Sequence, residues 1–124
     1  MTSTVLVDTN ILIEMLRYQD SDLEEIVVGF GETNINTIIY CEVVRGEPNK
    51  TEYRKAEKFL KQFNLIHLDP AICSLAIELM RDYKLSSGLD FADALIAATC
   101  LVHKFKLFTK NRKHFDFIPN LTVF

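Results

Sequence analysis

At 124 residues the chain has room for one domain with a real core, and its 48% hydrophobic and 25% charged content is ordinary for a globular protein. No run approaches the roughly 18–20 continuous apolar residues of a membrane span, and Met1-Thr-Ser-Thr carries no basic leader, so a cytoplasmic protein with no membrane contact is expected. A net charge of −3 argues against binding nucleic acid by bulk charge alone, but not against an enzyme that meets phosphate through a metal ion.

In chain order, Val5-Leu-Val is a short apolar run ending at an acid, as expected of a buried parallel strand. Asn10–Tyr18 places Ile11, Leu12, Met15 and Leu16 at helical spacing, and Asp22–Val28 reads as a second helix closed by Gly29 and Gly31. Asn34–Thr37 reads as a strand, then Ile38–Arg45 as a helix ending at Gly46, with Pro48 beyond. Thr51–Phe63 is amphipathic, with Tyr53, Ala56, Phe59, Leu60 and Phe63 on one face. Leu65–Leu68 is a strand stopped by Asp69-Pro70, and Ala71–Tyr83 is a helix broken at Ser86-Ser-Gly88. Ala92–Phe105 is apolar nearly all round, which predicts a helix buried on several sides. Lys106–Thr109 and Leu121–Phe124 are the last two strands. Alternating strands and helices give an α/β fold: one domain over residues 1–124, with a mainly parallel sheet of 4–5 strands flanked by helices. Ligands of such sheets bind outside the carboxyl ends of the strands.

Cys41, Cys73 and Cys100 are too scattered for a disulfide framework or a structural zinc site, and each reads as a small buried hydrophobe. From His103 to His114 the chain carries Lys104, Lys106, Lys110, Arg112 and Lys113 with no acid, which fits either a phosphate backbone or a solvated face.

Three acids stand where a core is expected. Asp8 closes the first strand, Glu42 interrupts the apolar run Ile38–Val44, and Asp93 opens the most apolar helix. A lone carboxylate in such surroundings costs several kcal/mol unless it is paired or bound to metal. Hard oxygen donors at the mouth of a parallel sheet suit Mg²⁺ or Mn²⁺. Each acid also has a simpler reading. Asp8 fits an N-cap. Asp90 and Asp93 have N-cap and N3 spacing, and for Asp90 the cap is the favoured role, with support of the pocket as the other. Glu42 can pair with Arg45, a contact worth only ~0.2–0.5 kcal/mol. Read together, the three favour one shared pocket.

These segments resemble the PIN-domain ribonucleases, and especially the VapC-type toxins of prokaryotic toxin–antitoxin pairs. Val5–Ile13 is similar to the family's first motif, with Asp8 as its aspartate. Thr37–Gly46 is similar to the second, with Glu42 as its acid. Asp93-Ala-Leu-Ile-Ala-Ala98 is close to the third, and Leu107–Phe115 to the fourth, where Asn111 stands at a position the family fills with Asp or Asn. The resemblance implies hydrolysis of RNA phosphodiesters, in tRNA, rRNA or mRNA, with Mg²⁺ or Mn²⁺ held by Asp8, Glu42 and Asp93. Asp90 and Asn111 are further candidate ligands; an amide at Asn111 removes one negative charge, which leaves a second ion in question. Thr9, Thr37 and Thr109 are placed to orient water or phosphate, and Lys110, Arg112 and Lys113 to guide the RNA backbone. The resemblance also implies a homodimer and a VapB-like antitoxin. Two rivals remain: a PIN-fold module that binds RNA or protein with little catalysis, and a receiver-type Mg²⁺-binding signalling domain. The receiver normally shows paired acids after its first strand, whereas Asp8 here is followed by Thr-Asn.

Overall fold

The computed structural model describes residues 3–124; Met1 and Thr2, part of the segment read as lacking a leader, lie outside the described residues. β1 (Thr4–Val7) leads through Asp8 into α1 (Thr9–Tyr18), followed by α2 (Ser21–Val28), β2 (Glu32–Asn36), α3 (Thr37–Arg45) and α4 (Lys50–Leu60). Then come β3 (Asn64–Ile66), α5 (Pro70–Ser87), α6 (Phe91–His103), β4 (Lys106–Phe108) and a 3-10 turn over Arg112–His114. The four strands form one parallel sheet in the order β3-β2-β1-β4. That order places β1 in the interior and differs from the 2-1-3-4-5 order of receiver domains.

β1 is central because it can be. Val5, Leu6 and Val7 are all fully buried, as a strand covered on both faces requires. One apolar cluster joins them to Ile11 and Leu12 of α1, Ile39 and Val43 of α3, Ile96, Ala97 and Ala98 of α6, and Phe115 and Ile118 near the end. α6 packs on α5, α3 and β4. Its alanines let it approach closely, and it is buried on several sides as its composition predicts, although Phe91 and Val102 remain exposed. Among the described residues no helix is long and apolar enough to cross a membrane.

Several boundaries shift for identifiable reasons. The last predicted strand is a single bridge, Val123 to Leu107, held by Leu107 N–H to Thr122 O and Phe124 N–H to Leu107 O, both 2.8 Å. α5 runs through Tyr83 to Ser87 and ends at Gly88, whose φ of 72° suits glycine. α6 ends without a glycine, at Lys104 with φ 60°. α4 stops at Leu60, before Phe63, yet Phe63 stays buried in the turn that follows, and Tyr53 turns outward to exposure. Cys41 and Cys73 are exposed, contrary to expectation; Cys100 alone is the buried hydrophobe, and burial pushes its thiol up. Both exposed cysteines lie on the outer sides of amphipathic helices, where an apolar residue beside them in sequence does not imply burial.

Candidate active site

Asp8 follows β1 and Thr109 follows β4, side by side at the point where the strand order reverses; the Asp8 N–H donates to Phe108 O at 2.9 Å. Such a switch point leaves a crevice outside the carboxyl ends of the strands. Asp8 is only 6% exposed. Its Oδ1 accepts the Thr9 N–H at 2.7 Å, so it does cap α1. Its Oδ2 accepts the Thr109 hydroxyl at 2.6 Å, a contact that a cap does not need. Burial pushes the Asp8 carboxyl above its usual range, with the Thr109 and Thr9 hydrogen bonds and the charge of His114 opposing.

Thr9 joins the first acid to the second: its hydroxyl donates to Glu42 Oε1 at 2.8 Å. Among the described residues no ion pair joins Glu42 to Arg45, so the intrahelical pairing is not formed. Asp93 sits in the first turn of α6. Burial first, and then the negative charge of Asp8, push its carboxyl up to about 6; Asp90 adds to the rise and His114 opposes it. Its Oδ2 lies 3.1 Å from His114 Nδ1.

The remaining predicted residues divide. Asp90 occupies the N-cap position of α6, but its exposed side chain makes no capping hydrogen bond; it acts on Asp93 through charge. Asn111 is exposed and reaches the site through its backbone, donating its N–H to Thr109 Oγ1 at 3.0 Å. The Thr37 hydroxyl is buried without a hydrogen-bond partner at the start of α3. The Lys110 ammonium pairs with Glu14 of α1, and the Lys110 backbone N–H donates to Asn10 Oδ1 at 3.3 Å, so this lysine ties the loop to α1. Arg112 and Lys113 stay exposed, Arg112 4.0 Å from Asp116. Lys110, Asn111, Arg112, Lys113 and His114 line an open concavity of about 350 Å³ beside the acids.

Sequence reasoning missed two supports. Asn36 at the end of β2 is fully buried; its amide donates to Thr99 Oγ1 at 2.9 Å, locking α6 to the sheet, while its Oδ1 accepts the Ile39 N–H at 3.0 Å. The signal was present, since an asparagine at an inward strand position needs a partner. His114 was counted only as the edge of a basic run, and its pairing with Asp93 joins segments far apart in sequence.

The donor set fits a divalent cation in its chemistry: three carboxylates, two of them with ionisation opposed by burial and one also by its neighbour's charge, with an imidazole as the basic group facing them. The fit is not closed. Among the described residues no group of three or more acidic, histidine or cysteine side chains stands together as a ready ion site.

Comparison with known proteins agrees with this architecture. The PIN domain family model matches residues 5–119. The chain is 31% identical over 115 residues to "Ribonuclease VapC1" of Methanocaldococcus jannaschii, covering 92% of this chain and 80% of that one. It is 29% identical over 120 residues to "Ribonuclease VapC19" of Mycobacterium tuberculosis, covering 94% and 95%. Among solved structures, a toxin–antitoxin complex from Klebsiella pneumoniae superposes with a TM-score of 0.82 at 28% identity, covering 96% of each chain. With buried acids at the switch point of a parallel sheet and the family pattern running almost end to end, the chain belongs to the PIN domain family.

Proposed function

We propose that this protein is a divalent-metal-dependent ribonuclease and the toxin of a VapBC-type toxin–antitoxin pair, working in the cytoplasm. The observation that carries the reading is the gathering of acids at one crevice: Asp8 held by Thr109, Glu42 held by Thr9, and Asp93 pushed up by burial and by the charge of Asp8, whose own carboxyl burial raises. Such an arrangement disfavours the metal-free ionised state and favours a bound cation. The relatives called ribonucleases and the toxin–antitoxin complex supply the substrate class and the partner.

In this reading Asp8, Glu42 and Asp93 hold Mg²⁺ or Mn²⁺, with hard carboxylate oxygens suited to both. The ion supplies Lewis acidity to the phosphodiester and eases deprotonation of the attacking water. The chain's own groups do the rest. Thr109 and Thr9 each fix one acid oxygen and so hold the carboxylates in place. Arg112 and Lys113 offer exposed positive charge to the RNA backbone, whereas Lys110, engaged by Glu14, fixes the loop that carries them. A homodimer is supported by the apolar face where α5 meets α6, which leaves Ile77 71% and Phe91 60% exposed beside Cys73 and Leu95.

The test is cleavage of a mixed tRNA and rRNA substrate with added Mg²⁺ or Mn²⁺. Cleavage that stops with chelator and in Asp8→Asn is the expected result; Asp8→Asn should lose about 100-fold or more, the several kcal/mol of metal charge stabilisation at ~1.4 kcal/mol per decade. Equal cleavage by the variant overturns the reading. One observation favours a second reading, a PIN-fold module that binds RNA or protein with little turnover: the acids do not form a closed ion site. RNA binding without metal-dependent cleavage would select it.

A further inference from the structure

Each of the three acids has an oxygen held by a side chain from a distant segment, and Asp8 has its other oxygen engaged as well, by the Thr9 N–H. Thr109 holds Asp8 Oδ2 at 2.6 Å and Thr9 holds Glu42 Oε1 at 2.8 Å. Asp93 Oδ2 has no threonine. At 3.1 Å it meets Nδ1 of His114; with the ring in its Nδ1–H form, that N–H donates a hydrogen bond to the ionised carboxylate. His114 is an exposed residue, yet its backbone is well fixed. Its N–H donates to Asn111 O at 3.0 Å, the next residue Phe115 is fully buried, and the Phe115 and Asp116 N–H groups both return to Arg112 O. The ring is thus presented to α6 from a braced turn, and the Asp90 side chain, which caps nothing, does not share the task.

We propose that His114 is the positioning residue for Asp93, holding one carboxylate oxygen so that the other is aimed into the cation site, and tying the Lys110–His114 segment to the first turn of α6. The inference rests on the metal-binding part of the reading above. It makes His114 the counterpart of Thr109 and Thr9, a group that acts on the ion through an acid and does not touch it. Hydrogen bonds to ligating carboxylates commonly contribute 10–100-fold to metal affinity.

The experiment measures Mn²⁺ binding by calorimetry, apart from any RNA cleavage, with folding checked by circular dichroism. His114→Ala should weaken Mn²⁺ binding by about 10–100-fold. His114→Asn, whose amide can donate from nearly the place of Nδ1, should recover most of it. The Mn²⁺ complex of the parent protein should show no ¹⁴N coupling in pulsed electron paramagnetic resonance. Unchanged affinity in His114→Ala, failure of His114→Asn to rescue, no Mn²⁺ binding by the parent, or a ¹⁴N coupling that makes His114 a direct ligand would each overturn the proposal. Tight Mn²⁺ binding with the expected variant pattern but no RNA cleavage would leave the positioning role intact and remove the ribonuclease reading.

Discussion

The two ends of the parallel sheet treat polar residues in opposite ways. At the amino end the strands begin with Glu32, Asn64 and Lys106, all exposed; Lys106 lies with its ammonium 5.6 Å from the Phe124 ring, and Asn64 and Glu32 share a hydrogen bond at the surface. At the carboxyl end β2 finishes at Asn36, and Asp8 and Thr109 directly follow β1 and β4; all three are buried. Asn36 and Thr109 are satisfied by hydrogen bonds, but Asp8 keeps its carboxyl raised despite two of them, and Asp93 beside it is raised further by Asp8 itself. Solvated charges at one end contribute little to stability in either direction. Opposed charges at the other end cost stability in the metal-free protein, which makes that end the candidate site.

That contrast can be broken or sharpened by experiment. The largest effect is the loss of cleavage in Asp8→Asn, against which charge changes at Lys104 and Lys106 should leave cleavage within about twofold, as surface substitutions away from a site do. An intermediate effect concerns pH. Burial and the charge of Asp8 push the folded Asp93 carboxyl up to about 6 from an ordinary value of 3.8, so between these the folded state binds the extra proton. Its contribution to stability is full below about 4 and is lost as pH rises through 6. Metal-free parent protein, compared with Asp93→Asn by urea unfolding, should therefore match the variant best near pH 4 and fall behind it by pH 7. A gap that opens instead toward low pH would reverse the sign. The smallest effect belongs to Arg112→Ala with Lys113→Ala, expected to weaken RNA binding and to flatten its salt dependence by one to two units of slope, at ~0.7 per phosphate contact on single strands. An unchanged salt slope would make that run a merely solvated face.

Much of this was legible in the sequence. Val5-Leu-Val announces a doubly covered strand, and an acid at its end can be seen to be misplaced for a core. The apolar alanine-rich run after Asp93 likewise predicts a helix that penetrates the core. What escaped was what depends on long-range contact. Glu42 had a ready partner in Arg45 by spacing and takes Thr9 instead, because its helix faces α1. Asp90 looked like a cap and does not cap, since its backbone reaches the N-cap conformation without its side chain turning back. Lys110 looked free for RNA and is engaged by Glu14, on a helix nearly a whole chain away in sequence. Cys41 and Cys73 sit in apolar runs yet face outward, because a run shorter than a helix turn pattern does not reveal its phase. Separate motifs fix which elements form; the hydroxyls and imidazole that hold the acids, and the ammonium that fixes the loop beside them, become visible once those elements are packed.

The central claim is that these acids are retained at a cost to the metal-free protein because they hold a cation. Thermal unfolding of the parent and of Asp93→Asn at pH 7, with and without Mn²⁺, tests it most directly. The account predicts that without metal the variant is the more stable by about 2 kcal/mol, the ~3 kcal/mol of a rise from 3.8 to about 6 at ~1.4 kcal/mol per unit reduced by solvent screening of a partly exposed carboxylate, and that Mn²⁺ raises the melting temperature of the parent and leaves the variant unmoved. A variant less stable than the parent without metal, or one that Mn²⁺ stabilises equally, would contradict it.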